Sequence, residues 1–256
     1  MGFVTASTSP LFNIRYSAFL GAMYLLTEES ANAIKAVKAE IGEEQVKKGF
    51  TGNTGATAKA RNALRNEGVQ FGRMNGAVTG VRLIERDVQG RKTPYLSLTV
   101  SDEDGKYNLS IAVAARGSQM LIRKLANVQI GQQAEIGLFA TYGQREGAER
   151  AYAEHGATLK QNGVEVKGID PKENLSPAVN AAVEALKAAG VDDKETISRR
   201  RAAVELNFHV ELAQNIEAKF KLFYAEREQR MDDHAPAPTP SPSGNGFDDM
   251  DDDIPF

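Results

Sequence analysis

The chain has 256 residues and a formal net charge of −3, and 41% of its residues are hydrophobic and 25% charged, as in ordinary globular proteins. It contains no cysteine, which excludes disulfides, thiolate metal sites and cysteine nucleophiles, and its three histidines are too dispersed to predict a metal site. Taken alone, the acidic net charge argues against a nucleic-acid-binding protein, since such proteins usually carry a basic excess.

Residues 1–70 are predicted to form an N-terminal extension that contains helices. Within it, residues 11–26 read as an extended segment, and a helix is predicted from Glu28 to about residue 48. Thr27 is the expected N-cap, because its hydroxyl can accept a hydrogen bond from an unpaired amide of the first turn. A short basic helix is predicted after the glycine-rich loop that follows.

No membrane anchor is predicted from the early apolar stretch. Residues 16–26 make up only eleven positions, and a spanning helix needs about 20. No basic segment precedes them, so a secretory signal is not predicted either. We therefore expect a cytoplasmic protein.

Residues 71–168 are predicted to form β structure with one inserted helix. Leu96, Leu98 and Val100 alternate with polar residues, and a similar alternating strand follows the Asp-Gly turn at Gly105. The predicted order is three strands, a helix and two strands. This is the order of the five-stranded barrel called the OB-fold, and a sandwich fragment or an SH3-like barrel is the alternative. The fold class expected is α+β, with an OB-fold barrel, helical additions at both ends and a disordered acidic tail.

Residues 169–230 are predicted to be helical. Ser176 is the expected N-cap of a first helix that ends at Gly190. A long helix is then predicted from about Asp193, with apolar residues every three or four positions up to Phe223. That stripe is expected to pack against the barrel or against a partner subunit.

Residues 231–256 differ in composition from the rest of the chain and are predicted to be a disordered Pro/Gly linker with an acidic tail. This segment holds seven aspartates and neither Lys nor Arg, so the preceding 230 residues carry a net charge of +4. Because the acidic charge is concentrated in the tail, the overall sign no longer argues against nucleic acid as a ligand.

The chain ends in an acidic run followed by Ile-Pro-Phe, which is typical of a docking peptide. The terminal ring can fill an apolar pocket while its carboxylate meets a cation, and the aspartates can face a basic rim. The residues predicted to bind partner proteins are Asp248, Asp249, Asp251, Asp252, Asp253, Ile254, Pro255 and Phe256.

This DDDIPF terminus closely resembles that of bacterial single-stranded DNA-binding proteins, which join an OB-fold to such a tip by a flexible linker. The resemblance implies binding and protection of single-stranded DNA, and recruitment of replication, recombination and repair proteins through the tip. The chain departs from the family in its seventy residues before the barrel, its helical region and its lack of tryptophan. We therefore expect a divergent bacteriophage or mobile-element member, and homo-oligomerisation stays open.

Binding without sequence preference needs rings that stack on bases and cations that meet phosphates. Strand parity selects three rings that point away from the core, and basic residues of the same region supply the predicted phosphate contacts. The rings are Tyr95, Phe139 and Tyr152, and the cations are Arg82, Arg86, Arg91, Lys92, Lys106, Arg145 and Arg150. For each residue the alternative is ordinary core packing or surface charge.

Two other functions are alternatives to this prediction. A tail-bearing recruitment or regulatory protein could use the same tip and bind duplex DNA, or bind DNA weakly, with Arg199 to Arg201 on the long helix. An enzyme is not predicted, because the sequence has no phosphate-binding glycine loop, no metal-ligand spacing and no nucleophile elbow. No cofactor is predicted.

Overall fold

The computed structural model describes residues 10–42, 54–143 and 152–233, and these residues form nine strands and six helices. The strands are β1 (Leu11–Ser17), β2 (Ala22–Leu25), β3 (Phe71–Gly72), β4 (Met74–Val88), β5 (Arg91–Ser101), β6 (Lys106–Ala112), β7 (Gln133–Gly143), β8 (Tyr152–Gln161) and β9 (Val164–Glu165). The helices are α1 (Glu28–Ile41), α2 (Thr54–Asn66), α3 (Arg116–Leu125), α4 (Pro171–Asn174), α5 (Ser176–Ala188) and α6 (Lys194–Asp233).

The nine strands form one open mixed sheet in the order β3-β2-β1-β6-β5-β4-β7-β8-β9. The α+β character was predicted, but the prediction of a five-stranded OB-fold barrel is wrong. The predicted succession of three strands, a helix and two strands is present, from β4 through α3 to β8. Element order alone therefore did not determine how the strands pair.

The pairing of β1 with β6 explains why a five-stranded barrel does not form. Residues Leu11–Ile14 run parallel to Lys106–Leu109 and occupy the edge of β6 that faces away from β5. At the opposite end of the strand order, β8 pairs with β7 and with the short strand β9, and not with β6. The ladder thus continues past β6 into β1 and β2, which come from the region predicted to be an extension, and then into β3, at the start of the region predicted to form the barrel.

The main core lies on one face of this sheet, as the alternation predicted. Leu96, Leu98 and Leu109 are fully buried, and they pack with residues of α3 such as Leu121. Phe220 of α6 joins the same cluster, which confirms that the apolar stripe of the long helix packs on the sheet. Removing these side chains from water supplies the main favourable free energy of folding, about 25 cal/mol for each Å² of apolar surface.

A second, smaller core joins α1 and α2 to strand β2. Leu20 and Leu64 are fully buried there, together with Tyr24 and Ile34. At the start of α1, Thr27 is the N-cap as predicted, and Ser30 completes a reciprocal capping box. The helix ends at Ile41, earlier than predicted.

A bulge in β4 reverses the side-chain alternation of the strand. Val78 pairs with Val100 and Gly80 pairs with Thr99, so Thr79 is an extra residue in the ladder. Val78 and Val81 consequently both face the core. Beyond the bulge, the even-numbered residues of β4 face solvent.

Two predictions for the C-terminal helices have different outcomes. Gly190 follows α5 with a φ of +77°, the left-handed conformation expected at a helix end. Ser176 is not the N-cap of α5, because Leu175 holds that position and the Ser176 hydroxyl donates to the carbonyl oxygen of Pro171 at 3.1 Å.

The long helix α6 extends to Asp233, three residues into the predicted linker, and residues 234–256 lie outside the described part.

Within the described ranges, no helix combines the length and the apolar character needed to cross a bilayer.

Candidate nucleic-acid interface

The face of β4, β5 and β6 opposite the main core presents polar and basic side chains. Directly opposed residues of antiparallel strands project to the same side, and here Arg82 opposes Ser97 while Ile84 opposes Tyr95. On β6, Asn108 lies on this side as well, and the Ser97 hydroxyl donates to its side-chain oxygen at 3.0 Å. We call this surface the polar sheet face.

Tyr95 lies in the polar sheet face beside a cation. The guanidinium carbon of Arg86 is 4.9 Å from the centroid of the Tyr95 ring, a cation–π arrangement. The ring points away from the core, as parity predicted, and it is half-buried. A ring held in place by an adjacent cation combines the two groups that bind single-stranded nucleic acids, a stacking surface and a phosphate partner.

Three further predicted cations share this face. Arg82 lies two residues before Ile84 in β4, Arg91 opposes Val88 at the hairpin, and Lys106 opposes Ser101. All three are exposed. The structure therefore brings four predicted phosphate contacts and one predicted stacking ring to a single surface.

Lys92 is placed on the other side of the sheet. It shares the parity of Leu96 in β5, and its ammonium group is 3.9 Å from a carboxylate oxygen of Glu85. Both side chains are largely exposed, so the pair contributes little to stability. Lys92 does not join the cations of the polar sheet face.

Phe139 is exposed but far from Tyr95 along the sheet. Strand β4 pairs with the strands of both residues and so gives a common reference. Phe139 lies three residues after Ile136, which pairs with Met74 at the start of β4, whereas Tyr95 pairs with Ile84. Met74 and Ile84 are ten residues apart in β4, which corresponds to roughly 30 Å of strand. The structure thus does not bring these two predicted stacking residues together.

The remaining predicted site residues lie at or beyond the limits of the described ranges. Tyr152 begins β8 opposite Gly143, and its side chain lies outside the described part of the structure. Arg145, Arg150 and the whole C-terminal tip lie outside the described residues.

A groove beside Phe139 was not predicted from the sequence. It has a volume of about 280 Å³ and is lined by Phe71, Arg73 and Phe139 among others. Phe71 belongs to β3, and Arg73 links β3 to β4 and forms an ion pair with Glu135. The sequence holds one local indication of this groove, the triplet Phe71-Gly72-Arg73, in which a glycine separates an aromatic residue from a basic one. The other lining residues, on β2 and β7, are distant from this triplet in sequence.

A second polar cluster joins β1 to β8. The hydroxyl of Tyr16 and Nδ1 of His155 are 2.8 Å apart, next to a cavity of about 410 Å³ that Arg116 also lines. Burial raises the pKa of Tyr16 to about 12, although the charge of Arg61 opposes this shift. Burial, and then the nearby Arg116, lower the pKa of His155 below its ordinary value. At neutral pH the cluster is therefore an uncharged hydroxyl–imidazole pair that ties the two strands together.

Compared with protein-family models, with curated proteins and with solved structures, the chain gives no significant match.

Proposed function

We propose that the chain binds single-stranded DNA without sequence preference and recruits other proteins through its C-terminal tip. The observation that carries the proposal is the polar sheet face, where Arg82, Arg86, Arg91 and Lys106 lie on the same side of the sheet as Tyr95 and the Arg86 guanidinium lies against the Tyr95 ring. Single-stranded DNA offers regularly spaced phosphates and exposed base faces, and this surface offers a partner for each.

The chemistry of the polar sheet face suits binding that ignores sequence. Arginine and lysine side chains displace counterions from phosphates, which favours binding most at low salt. Stacking a base on an aromatic ring contributes about 1–3 kcal/mol and works for every base. Hydroxyl and amide groups such as Ser97 and Asn108 can add hydrogen bonds at the same surface.

The recruiting role rests on the terminal sequence. An acidic run that ends in Ile254-Pro255-Phe256 matches the tip of bacterial single-stranded DNA-binding proteins. The separation of a body with net charge +4 from a tail with seven aspartates supports a division between DNA binding and protein binding.

Duplex DNA binding through α6 is the second candidate. Arg199, Arg200 and Arg201 are exposed near the start of this helix, and the guanidinium of Arg199 forms an ion pair with Glu195 one turn before it. Among the described residues, no aromatic ring forms a cation–π contact with these three arginines, which suits phosphate contacts alone.

Fluorescence anisotropy with labelled oligo-dT and with a duplex of equal length, each at two salt concentrations, tests the proposal. We expect tighter binding to oligo-dT than to duplex, and weaker binding at higher salt. Preference for duplex would favour the α6 candidate, and absence of binding at low salt would exclude DNA as the ligand.

The tip requires its own experiment. Deletion of Ile254–Phe256 should abolish binding to purified bacterial replication, recombination and repair proteins, while the affinity for oligo-dT stays unchanged. Replacement of Pro242 by Ala in the linker is the matched control, and it should preserve both activities. Partner binding that survives the deletion would contradict the role of the tip.

A further inference from the structure

The groove beside Phe139 exists because β2 and β7 approach each other without forming a ladder. The amide of Ala140 donates to the carbonyl of Gly21 at 3.2 Å, whereas the amide of Leu138 donates to the sulfur of Met23. The short strand β3 and the linking residue Arg73 lie beside this gap. The result is an open cleft between two parts of one sheet, which we call the β2–β7 groove.

One wall of the β2–β7 groove is the ring of Phe139, which lies over a glycine. Gly156 is directly opposite on β8, and a Cβ added there would come within 2.2 Å of the Phe139 ring. The glycine therefore allows the ring to lie against the backbone of β8. The side chain remains 40% exposed, which is unusual for a phenylalanine packed on a sheet.

The other wall is formed by Phe71 and its neighbours. Phe71 opposes Tyr24 across β2 and β3 and is half-buried, and the guanidinium of Arg65 is 5.8 Å from the centroid of its ring. The backbone at Gly72 has open space around it, since a Cβ there would have no neighbour within 4 Å. A planar group can thus approach the main chain at Gly72, beside Phe71, in the groove that Phe139 also lines.

The charge of the lining selects an anionic ligand. Among the described residues that line the groove, Arg73 is the one charged residue. Its aliphatic stem crosses Gly137, where a Cβ would lie 3.2 Å from Cγ of the arginine, and its side chain is 53% exposed. The ion pair with Glu135 leaves the guanidinium at the surface, where an anionic group of higher charge density can compete for it.

We propose that the β2–β7 groove binds an unpaired nucleobase of the DNA strand, with the base against Phe71 and Phe139 and an adjoining phosphate on Arg73. This inference rests on the proposed single-stranded DNA binding and adds a second contact region, remote from Tyr95. Two aromatic walls, open glycine backbone and a single cation match a base joined to a phosphate better than an acidic peptide, which would need several cations.

The test uses the full chain and an oligo-dT strand that carries one 2-aminopurine, whose fluorescence falls when the base stacks. The variants are Phe71→Leu and Phe139→Leu, which keep an apolar side chain but remove the ring, and Arg73→Gln. Phe223→Leu is the matched control, since this ring of α6 is 36% exposed and lies beside Gly131. We expect each groove variant to lower the affinity at least about fivefold, with less quenching in the two ring variants, and the control to behave as the wild type.

Gly156→Ala provides a variant that keeps every groove side chain. The added Cβ displaces the Phe139 ring from β8, so we expect the same loss of affinity as for Phe139→Leu. If Phe71→Leu fails to fold, as judged by circular dichroism, Phe139→Leu and Gly156→Ala decide the question.

The outcomes separate this inference from the proposed function. If the wild type and all groove variants bind oligo-dT with equal affinity and equal quenching, the groove inference is overturned while single-stranded DNA binding stands. If the wild type does not bind oligo-dT, the proposed function fails and the groove inference fails with it.

Discussion

The Glu217 carboxylate of α6 accepts a hydrogen bond from the backbone amide of Leu83 in β4, at 3.0 Å. Strand β7 pairs with β4 only up to Ala77, and none of the described strands lies beside this edge of β4 beyond that point. The hydroxyl of Tyr224, two turns further along α6, donates to the carbonyl of Val78 at 3.1 Å. Side chains of α6 thus hydrogen-bond to backbone groups at this edge of β4, which could otherwise pair with a strand of another chain.

Replacement of Glu217 by Ala should destabilise the protein by about 1.5 kcal/mol, because the Leu83 amide loses a charged acceptor. Glu217→Gln keeps an acceptor oxygen and should cost less. Urea unfolding measures both losses, with Glu211→Ala at an exposed position of the same helix as the control. An equal loss for the Glu211 and Glu217 variants would show that the contact with β4 contributes nothing.

Gly76 has less room for a side chain than Gly80, the other glycine of β4 with a close neighbour. It lies where the pairing of β4 with β7 ends and its pairing with β5 begins. Its φ is +147°, and an added Cβ would lie 2.5 Å from the carbonyl oxygen of Ser101. We expect Gly76→Ala to destabilise the fold by about 2 kcal/mol or more, from backbone strain and steric overlap together. Thermal unfolding should show a much smaller effect for Gly90→Ala, since Gly90 also has positive φ but open space around it. Similar losses at both positions would contradict the close approach to Ser101.

His209 should make stability depend on pH. It is buried in α6, and burial lowers its pKa, while the hydrogen bond to the Glu205 carbonyl opposes that shift. The folded state therefore favours neutral histidine. The contribution of His209 to the free energy of unfolding is complete above the ordinary histidine pKa of about 6.5. As pH falls below that value, the unfolded chain takes up a proton that the folded chain does not, and stability falls by up to about 1.4 kcal/mol per pH unit.

The free energy of unfolding measured between pH 7.5 and pH 5.5 tests this dependence. His209→Leu should make the profile less steep, because leucine cannot take up a proton, while His155, whose pKa burial also lowers, retains part of the dependence. A variant profile as steep as that of the wild type would assign the pH dependence to other groups.

Tyr95 should contribute to DNA affinity through its ring. Tyr95→Leu is expected to weaken oligo-dT binding at least about fivefold, since stacking on one base is worth about 1–3 kcal/mol. Tyr95→Phe keeps the ring face beside Arg86 and should bind nearly as the wild type does. Anisotropy titrations compare the three proteins, and an unchanged affinity for the leucine variant would remove Tyr95 from the interface.

The local features of the sheet could be predicted from sequence because they depend on neighbouring residues. Alternation in β5 buries Leu96 and turns Tyr95 outward, and the same rule leaves Phe139 exposed. Thr27 caps α1 because the cap requires only the residues of one turn. These features involve short stretches of chain, so periodicity and capping chemistry determine them.

The features that were mispredicted or missed depend on long-range pairing. The barrel prediction failed because Leu11–Ile14 pair with Lys106–Leu109, about ninety-five positions away, and no local pattern encodes that contact. Lys92 is an exception, since the local alternation of β5 already places it on the face opposite Arg91 and Tyr95. The β2–β7 groove is assembled from four separate segments, so its residues become neighbours only in the folded sheet.

The salt dependence of oligo-dT affinity tests the central claim most directly. Replacing Arg82, Arg86, Arg91 and Lys106 together by Gln removes the cations of the polar sheet face, and Lys92→Gln on the other side is the control. If each cation neutralises one phosphate of a single strand, the slope of log affinity against log salt should become shallower by about 3. An unchanged slope in the fourfold variant, with the same affinity as the wild type, would contradict DNA binding by this face.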